Sequence, residues 1–176
     1  VFFDEDATYG TSWGMGAYMD ETNTRMMIVA VECNHSPDNG RLSEYSPFSF
    51  DDPHLGHVTG RGPETMDWFT QELKPLIDRR YPTKPGRAHT FIAGSSMGGL
   101  MSLYAVLCYN QVYMDYGAKE MRSRRHMRRA FATVGGRLIE RRVLLTSRIV
   151  PHGEHSEASW SRQIPFFINT LLYEQS

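Results

Sequence analysis

The stretch Thr90-Phe91-Ile92-Ala93-Gly94-Ser95-Ser96-Met97-Gly98-Gly99-Leu100 constrains this chain more than any other. It runs from an apolar strand pattern through Gly-x-Ser-x-Gly, at 94–98, into an apolar helix pattern. A strand-to-helix turn this sharp holds its central serine in a strained backbone conformation, at about 1–3 kcal/mol. Side chains two residues to either side would collide across it, so glycine is expected at both 94 and 98. The helix then points its first amides at the serine, and the Met97 N–H is placed to stabilise an oxyanion. These features make Ser96 a candidate nucleophile. Ser95 is not centred between the glycines. A phosphate-binding loop would need Lys then Ser or Thr after the last glycine, where Leu100 and Met101 stand.

The flanking patterns predict an α/β layered domain with a parallel sheet. Residues 25–33 form a near-continuous apolar run suited to a strand buried on both faces. Further strands are expected at 89–93, 112–115 and 143–150. Residues 34–62, rich in Gly, Pro, Ser, Asp and His, read as a long functional loop. Pro63 opens a helix over 64–80 whose apolar face carries Met66, Phe69, Leu73, Leu76 and Ile77, with Pro75 as a potential kink. Helices are also expected at 99–109, at 121–138 (rich in arginine) and at 156–173, the last with Trp160, Ile164, Phe167, Ile168 and Leu171 on one side.

The 176 residues suffice for one domain with a core, here 1–176. Net charge is −1, which argues against nucleic acid as partner and makes the arginine run 122–129 a solvated helix face. No apolar run reaches the ~20 residues that cross a bilayer, so no membrane partner is expected. The two cysteines, Cys33 and Cys108, read as small buried hydrophobes, with a cytoplasmic compartment as the default. The chain starts at Val1, so an export signal could precede it. Asp51, Asp52, His54 and His57 fit no metal-ligand spacing and read as a polar loop.

A serine nucleophile needs a base and a group to orient it. His126 belongs to the arginine-rich helix. His152 and His155 share the loop between the last strand and the last helix, and His155, next to the helix start, is the choice. Asp115 and Glu120 are both candidates for the acid.

Together, Gly94–Leu100, Gly153-Glu154-His155-Ser156-Glu157-Ala158-Ser159-Trp160 and Asp115-Tyr116-Gly117-Ala118-Lys119-Glu120 resemble the putative esterase family of α/β-hydrolases. This is the branch of esterase D, enterochelin esterases and feruloyl esterases. Tyr9–Gly14, Arg41–Pro47 and Leu73–Tyr81 extend the resemblance along nearly the whole chain. It implies an α/β-hydrolase fold with a mostly parallel central sheet flanked by helices. It also implies ester hydrolysis through an acyl-enzyme on Ser96, with His155 as base and Glu120 as acid, and without metal or cofactor. The substrate would be a small-molecule or carbohydrate ester. Arg41, Glu44, Tyr45, Trp13 and Trp160 are expected near the substrate. Acyl transfer to another alcohol, or a non-catalytic interaction module, are the alternatives; oligomeric state is left open.

Two departures stand out. The family's N-terminal strands, with a His-Asp-Gly-like turn supplying a second oxyanion amide, have no counterpart here. A strand bearing a Ser-Pro motif is also missing between the post-serine helix and the Asp-x-Gly loop, where Tyr109-Asn110-Gln111-Val112 joins the two directly. Strands pair about 4.8 Å apart, so each missing strand would leave a gap near 10 Å beside 89–93. The expectation is therefore either a piece of a longer polypeptide, with a junction near 109–112, or open gaps on both sides of that strand.

Overall fold

The computed structural model describes residues 11–113, 115–119, 124–140, 150 and 153–173. In chain order its elements are α1 (Met15–Glu21), α2 (Gly40–Glu44), β1 (Phe50–Asp52), β2 (Gly56–Val58), α3 (Gly62–Trp68), α4 (Lys74–Arg80), β3 (Phe91–Ser95), α5 (Met97–Cys108), β4 (Asp115–Lys119), α6 (Arg124–Glu140), α7 (Glu157–Ser161) and α8 (Ile164–Tyr173). They fall into two compact units, residues 19–119 and residues up to 18 together with those from 120 onward.

In the first of these, Pro63 lies at the start of α3 as the sequence predicts. The helical run to Arg80 is interrupted by one π turn, Phe69–Leu73, immediately before α4. Pro75 has no N–H to give to residue 71 and its ring crowds that carbonyl, so a widened turn there relieves both conflicts. Met66 is fully buried and joins Met101, Ala105, Val106 and Tyr113 in the core. Ile92, Tyr45 and Tyr109 pack against that cluster. The Tyr109 hydroxyl donates to Asp67 Oδ1 at 2.8 Å, tying the end of α5 to α3. Burial, then the Asp67 carboxylate, pushes the Tyr109 hydroxyl pKa well up. Burial alone takes Tyr113 up to about 12.

β3 pairs with β4 in parallel, Phe91 opposite Asp115 through to Ser95 opposite Lys119, and α5 packs over both strands. This corrects one expectation and bears on another. The third strand is Asp115–Lys119 rather than 112–115, because Val112 and Tyr113 close a turn on the Tyr109 carbonyl at 2.9 and 3.2 Å. Of the two alternatives drawn from the short 109–112 junction, an open gap between the second and third strands is not formed, since β3 and β4 pair directly. On its other edge β3 has no partner among the described residues.

The 25–33 run is not a strand. The chain there has no regular structure, and Met27 and Val29 are half exposed. Apolar β-branched residues favour a strand only when a neighbouring ladder accepts their backbone groups. The 34–62 segment, read as a loop, contains α2 and the antiparallel hairpin β1–β2. Asp52 Oδ1 accepts the His54 and Leu55 N–H groups across that hairpin turn, at 2.8 and 3.1 Å. These two hydrogen bonds hold the Asp52 pKa below its ordinary value. His57 Nδ1 lies 2.8 Å from Asp51 Oδ1 on the same hairpin. Cys33 is half-buried and Cys108 exposed rather than both being core residues, and both are free thiols.

In the second unit, Ile164, Ile168 and Leu171 of α8 are buried at the expected helical spacing. The single helix expected over 156–173 is two, with a turn at Arg162 and Gln163. Pro165 is the cause, since it suits the first turn of a new helix and not the interior of an old one. The basic helix runs Arg124–Glu140. The strand expected at 143–150 lies almost wholly outside the described residues. No helix among the described residues is long and apolar enough to cross a membrane.

The approach to β3 is held by one carboxylate. Asp78 accepts Lys74 Nζ at 2.5 Å and Thr83 Oγ1 at 2.7 Å, and Lys74 also donates to the Pro85 carbonyl at 2.8 Å. Burial acts to raise the Asp78 pKa, but the Lys74 and Thr83 hydrogen bonds and the Lys74 charge outweigh it, and the net shift is downward. A carboxyl whose folded pKa lies below its unfolded value contributes stability above the unfolded pKa and loses it as pH falls through the folded one. Asp78→Asn should therefore cost about 1 kcal/mol at pH 7. The difference from the parent should shrink as pH drops below 3.8, which urea unfolding at pH 7 and pH 3 would measure.

Candidate active site

Ser96 occupies the single residue between β3 and α5, half-buried, with φ 55° and ψ −123°. A non-glycine residue in that region carries strain of about 1–3 kcal/mol and persists only where its surroundings over-determine it. Here a paired strand ends one residue before it and a twelve-residue helix starts one residue after. The Ser96 carbonyl accepts the Leu100 N–H at 3.1 Å, closing the first turn of α5. Met97 is the first residue of that helix, where N–H groups have no intrahelical acceptor. The opening turn is locked further by Ser102, whose buried hydroxyl donates to the Gly98 carbonyl at 2.8 Å.

Of the two glycines, only one is sterically required. A Cβ on Gly94 would lie 2.5–2.8 Å from the carbonyl carbon, carbonyl oxygen and Cα of Gly98. A Cβ on Gly98 would meet nothing within 4 Å. The crowding expected at both positions thus falls on residue 94 alone, because the position a Gly98 Cβ would take is open while that of a Gly94 Cβ is filled by Gly98 backbone.

Asp115 opens β4 opposite Phe91, four residues back along the ladder from the Ser95–Lys119 pair, or about 13 Å at the usual rise. Glu120 and His152 lie outside the described residues. His155 is exposed, on the segment leading into α7, and its ring meets that of Trp160 edge-on at 5.1 Å. Trp160 is buried and packs against Trp13 at 5.9 Å.

The remaining candidates make local contacts in the unit of residues 19–119. Arg41 lies over the Tyr45 ring at 5.9 Å, and Glu44 Oε2 accepts the Asn34 N–H at 2.7 Å. Burial, then the neighbouring Glu44 carboxylate, raises the Tyr45 hydroxyl to about 12. Glu44 also lines a cleft of about 390 Å³ with Asp38, Arg61, Glu64 and Trp68, and Ser96 is not part of its lining. Sequence reasoning passed over Ser159. It is almost fully buried, and its hydroxyl accepts the Glu154 N–H at 3.0 Å. A serine three residues after a helix-capping serine was the available signal.

A strand, a strained serine and a helix in this order define the junction of an α/β-hydrolase-type protein. The model of the Putative esterase family matches residues 8–167, and the chain belongs to that family, which supports a hydrolase acting on esters. No curated protein and no solved structure gives a significant match.

The glycine asymmetry has a direct consequence. Gly94→Ala should destabilise the protein by roughly 1–3 kcal/mol or more, since backbone cannot move aside as a side chain can. Gly98→Ala should be neutral or stabilising by up to about 1 kcal/mol through helix propensity. Thermal unfolding of both variants checks the pair; equal losses would mean that the two glycines are crowded alike.

Proposed function

We propose that this protein is a serine hydrolase of carboxylic esters that works through an acyl-enzyme on Ser96. The carrying observation is the positive φ of Ser96 between a strand and a helix, in a chain of an esterase family. Ser96 Oγ attacks the ester carbonyl carbon as His155 takes its proton. The Met97 N–H, at the helix start, donates to the oxyanion that forms. His155 then returns the proton to the leaving alcohol, and water repeats the sequence on the acyl-enzyme.

Glu120 is the proposed acid. The ladder register supports it over Asp115. Lys119, which Glu120 follows in sequence, pairs with Ser95, which Ser96 follows. In a parallel sheet the groups that act on a ligand lie beyond the carboxyl ends of the strands, and Asp115 stands at the amino end of its own. A mostly parallel central sheet, flanked by helices, is the fold we assign. The substrate proposed is a small-molecule or carbohydrate ester. Arg41, Glu44, Tyr45, Trp13 and Trp160 are the residues proposed to border it. A non-catalytic module gains one observation, the direct pairing of β3 with β4, but the ladder to 25–33 that would complete its case is not formed among the described residues.

A series of nitrophenyl esters of increasing acyl length tests the reading. Ser96→Ala should abolish turnover in a folded protein, leaving at most the ~10³–10⁴-fold over water that binding and oxyanion contacts supply. Ser95→Ala should remain active, and His155→Ala should be as damaging as Ser96→Ala, with the double variant no worse than either. His152→Ala should be mild. An active Ser96→Ala protein would sink the proposal. An Asp115→Asn loss matching that of His155→Ala, with Glu120→Gln active, would reassign the acid.

A further inference from the structure

An exposed histidine does not hold one orientation by itself, because its ring turns about two side-chain torsions. The segment around His155 restrains both its backbone and its ring. Before it, the Glu154 N–H donates to Ser159 Oγ at 3.0 Å. After it, the Ser156 carbonyl accepts the Ser159 and Trp160 N–H groups, both at 3.0 Å. The Ser156 hydroxyl caps α7 by accepting the Ser159 N–H at 3.3 Å. Ser159 is 2 % exposed, and Arg162 also reaches its hydroxyl at 3.1 Å. The imidazole meets the Trp160 ring at 5.1 Å with the planes 75° apart, within the favoured edge-on range. Trp160 is itself braced by Trp13.

We propose that Ser159 and Trp160 are positioning residues that hold His155 in one orientation for proton transfer, an inference resting on the reading of His155 as the base. Ser159 clips the backbone from both sides of the histidine, and Trp160 limits the swing of the ring. Neither needs to touch the substrate. A base displaced by about 1 Å loses on the order of 10²-fold in rate, so such restraints act on turnover rather than on binding. For Trp160 this role is additional to the bordering of the ester proposed above.

The test uses the full chain with nitrophenyl acetate as probe. Ser159→Ala and Trp160→Ala, folded by circular dichroism, should each lose about 10- to 100-fold in kcat with KM changed less than about threefold. Trp160→Phe, which keeps an aromatic ring, should recover most of the loss. Nuclear magnetic resonance supplies a readout apart from activity. The His155 ring protons, assigned through His155→Ala, should be displaced from free-histidine positions by the Trp160 ring current in the parent and in Trp160→Phe, but not in Trp160→Ala. Unchanged kcat in the folded alanine variants would overturn the proposal. So would a loss carried by KM alone, or parent His155 protons at the positions of a free histidine, a measurement that requires no tryptophan variant to fold. A fully active His155→Ala protein would instead remove the underlying reading of the base, while the resonance shift would still decide whether the contact exists.

Discussion

The close approach of Gly94 to Gly98 is the contact on which the rest of the described site depends. Two backbones lie so near that a single added carbon would fall 2.5 Å from a carbonyl carbon. Only that approach lets α5 begin two residues after β3 ends, and it turns Ser96 into a backbone region serine rarely occupies. The strain is local, but its support is not. The parallel ladder to β4 holds one arm of the turn, while Met101, Ala105 and Val106, buried on α5, hold the other. Relaxing Ser96 would require sliding a strand or lifting a helix, and either costs more than the ~1–3 kcal/mol released.

The legible parts of the sequence were those whose physics is local. Gly94, Ser96 and Gly98 announce a turn because its geometry depends on five consecutive residues. Pro63 marks a helix start because proline fixes its own φ and lacks its own N–H; Pro165 does the same for α8, but the apolar stripe running through 156–173 read as one helix and hid it. The α8 stripe of Ile164, Ile168 and Leu171 follows from helical period alone. Strands are different, because each exists only by pairing. Residues 25–33 have the composition of a buried strand and no ladder to join among the described residues. Residues 115–119 contain Asp, Gly and Lys, residues that disfavour strands, yet they form one because β3 offers a complete parallel edge. The β1–β2 hairpin was visible in principle, since Asp52 and Gly56 are the turn chemistry it uses, but three-residue strands carry too little periodicity to separate from a loop.

Legibility within the candidate site followed the same division. Ser96 is specified by its neighbours in sequence and stands where the motif puts it. His155 is specified by a loop, and the side chains that order that loop, Ser159 and Trp160, follow it by four and five residues. The choice between Asp115 and Glu120 could not be made from spacing, since both flank the same glycine. Register, a property of two strands together, bears on the proposed choice: Ser95 lies opposite Lys119, the last residue of β4, and Asp115 lies at the amino end of that strand.

The two proposed proton partners are therefore positioned by opposite means. Ser96 is set by backbone, and its side chain has one bond about which to turn. Its direction follows once the strand, the helix and the Gly94–Gly98 contact are in place. His155 is exposed, no ladder includes its segment among the described residues, and its ring has two torsions to restrain. Backbone geometry alone cannot do that, so the restraint has to come from side chains, and side chains that restrain an exposed ring must themselves be immobile. Ser159 and Trp160 meet that condition, one by burial of its hydroxyl among donors and the other by packing on Trp13. The nucleophile depends on side chains only through the buried α5 residues that seat its helix. A base held directly by side chains depends on them more closely, and Ser159 and Trp160, four and five residues after His155, should be sensitive to substitution.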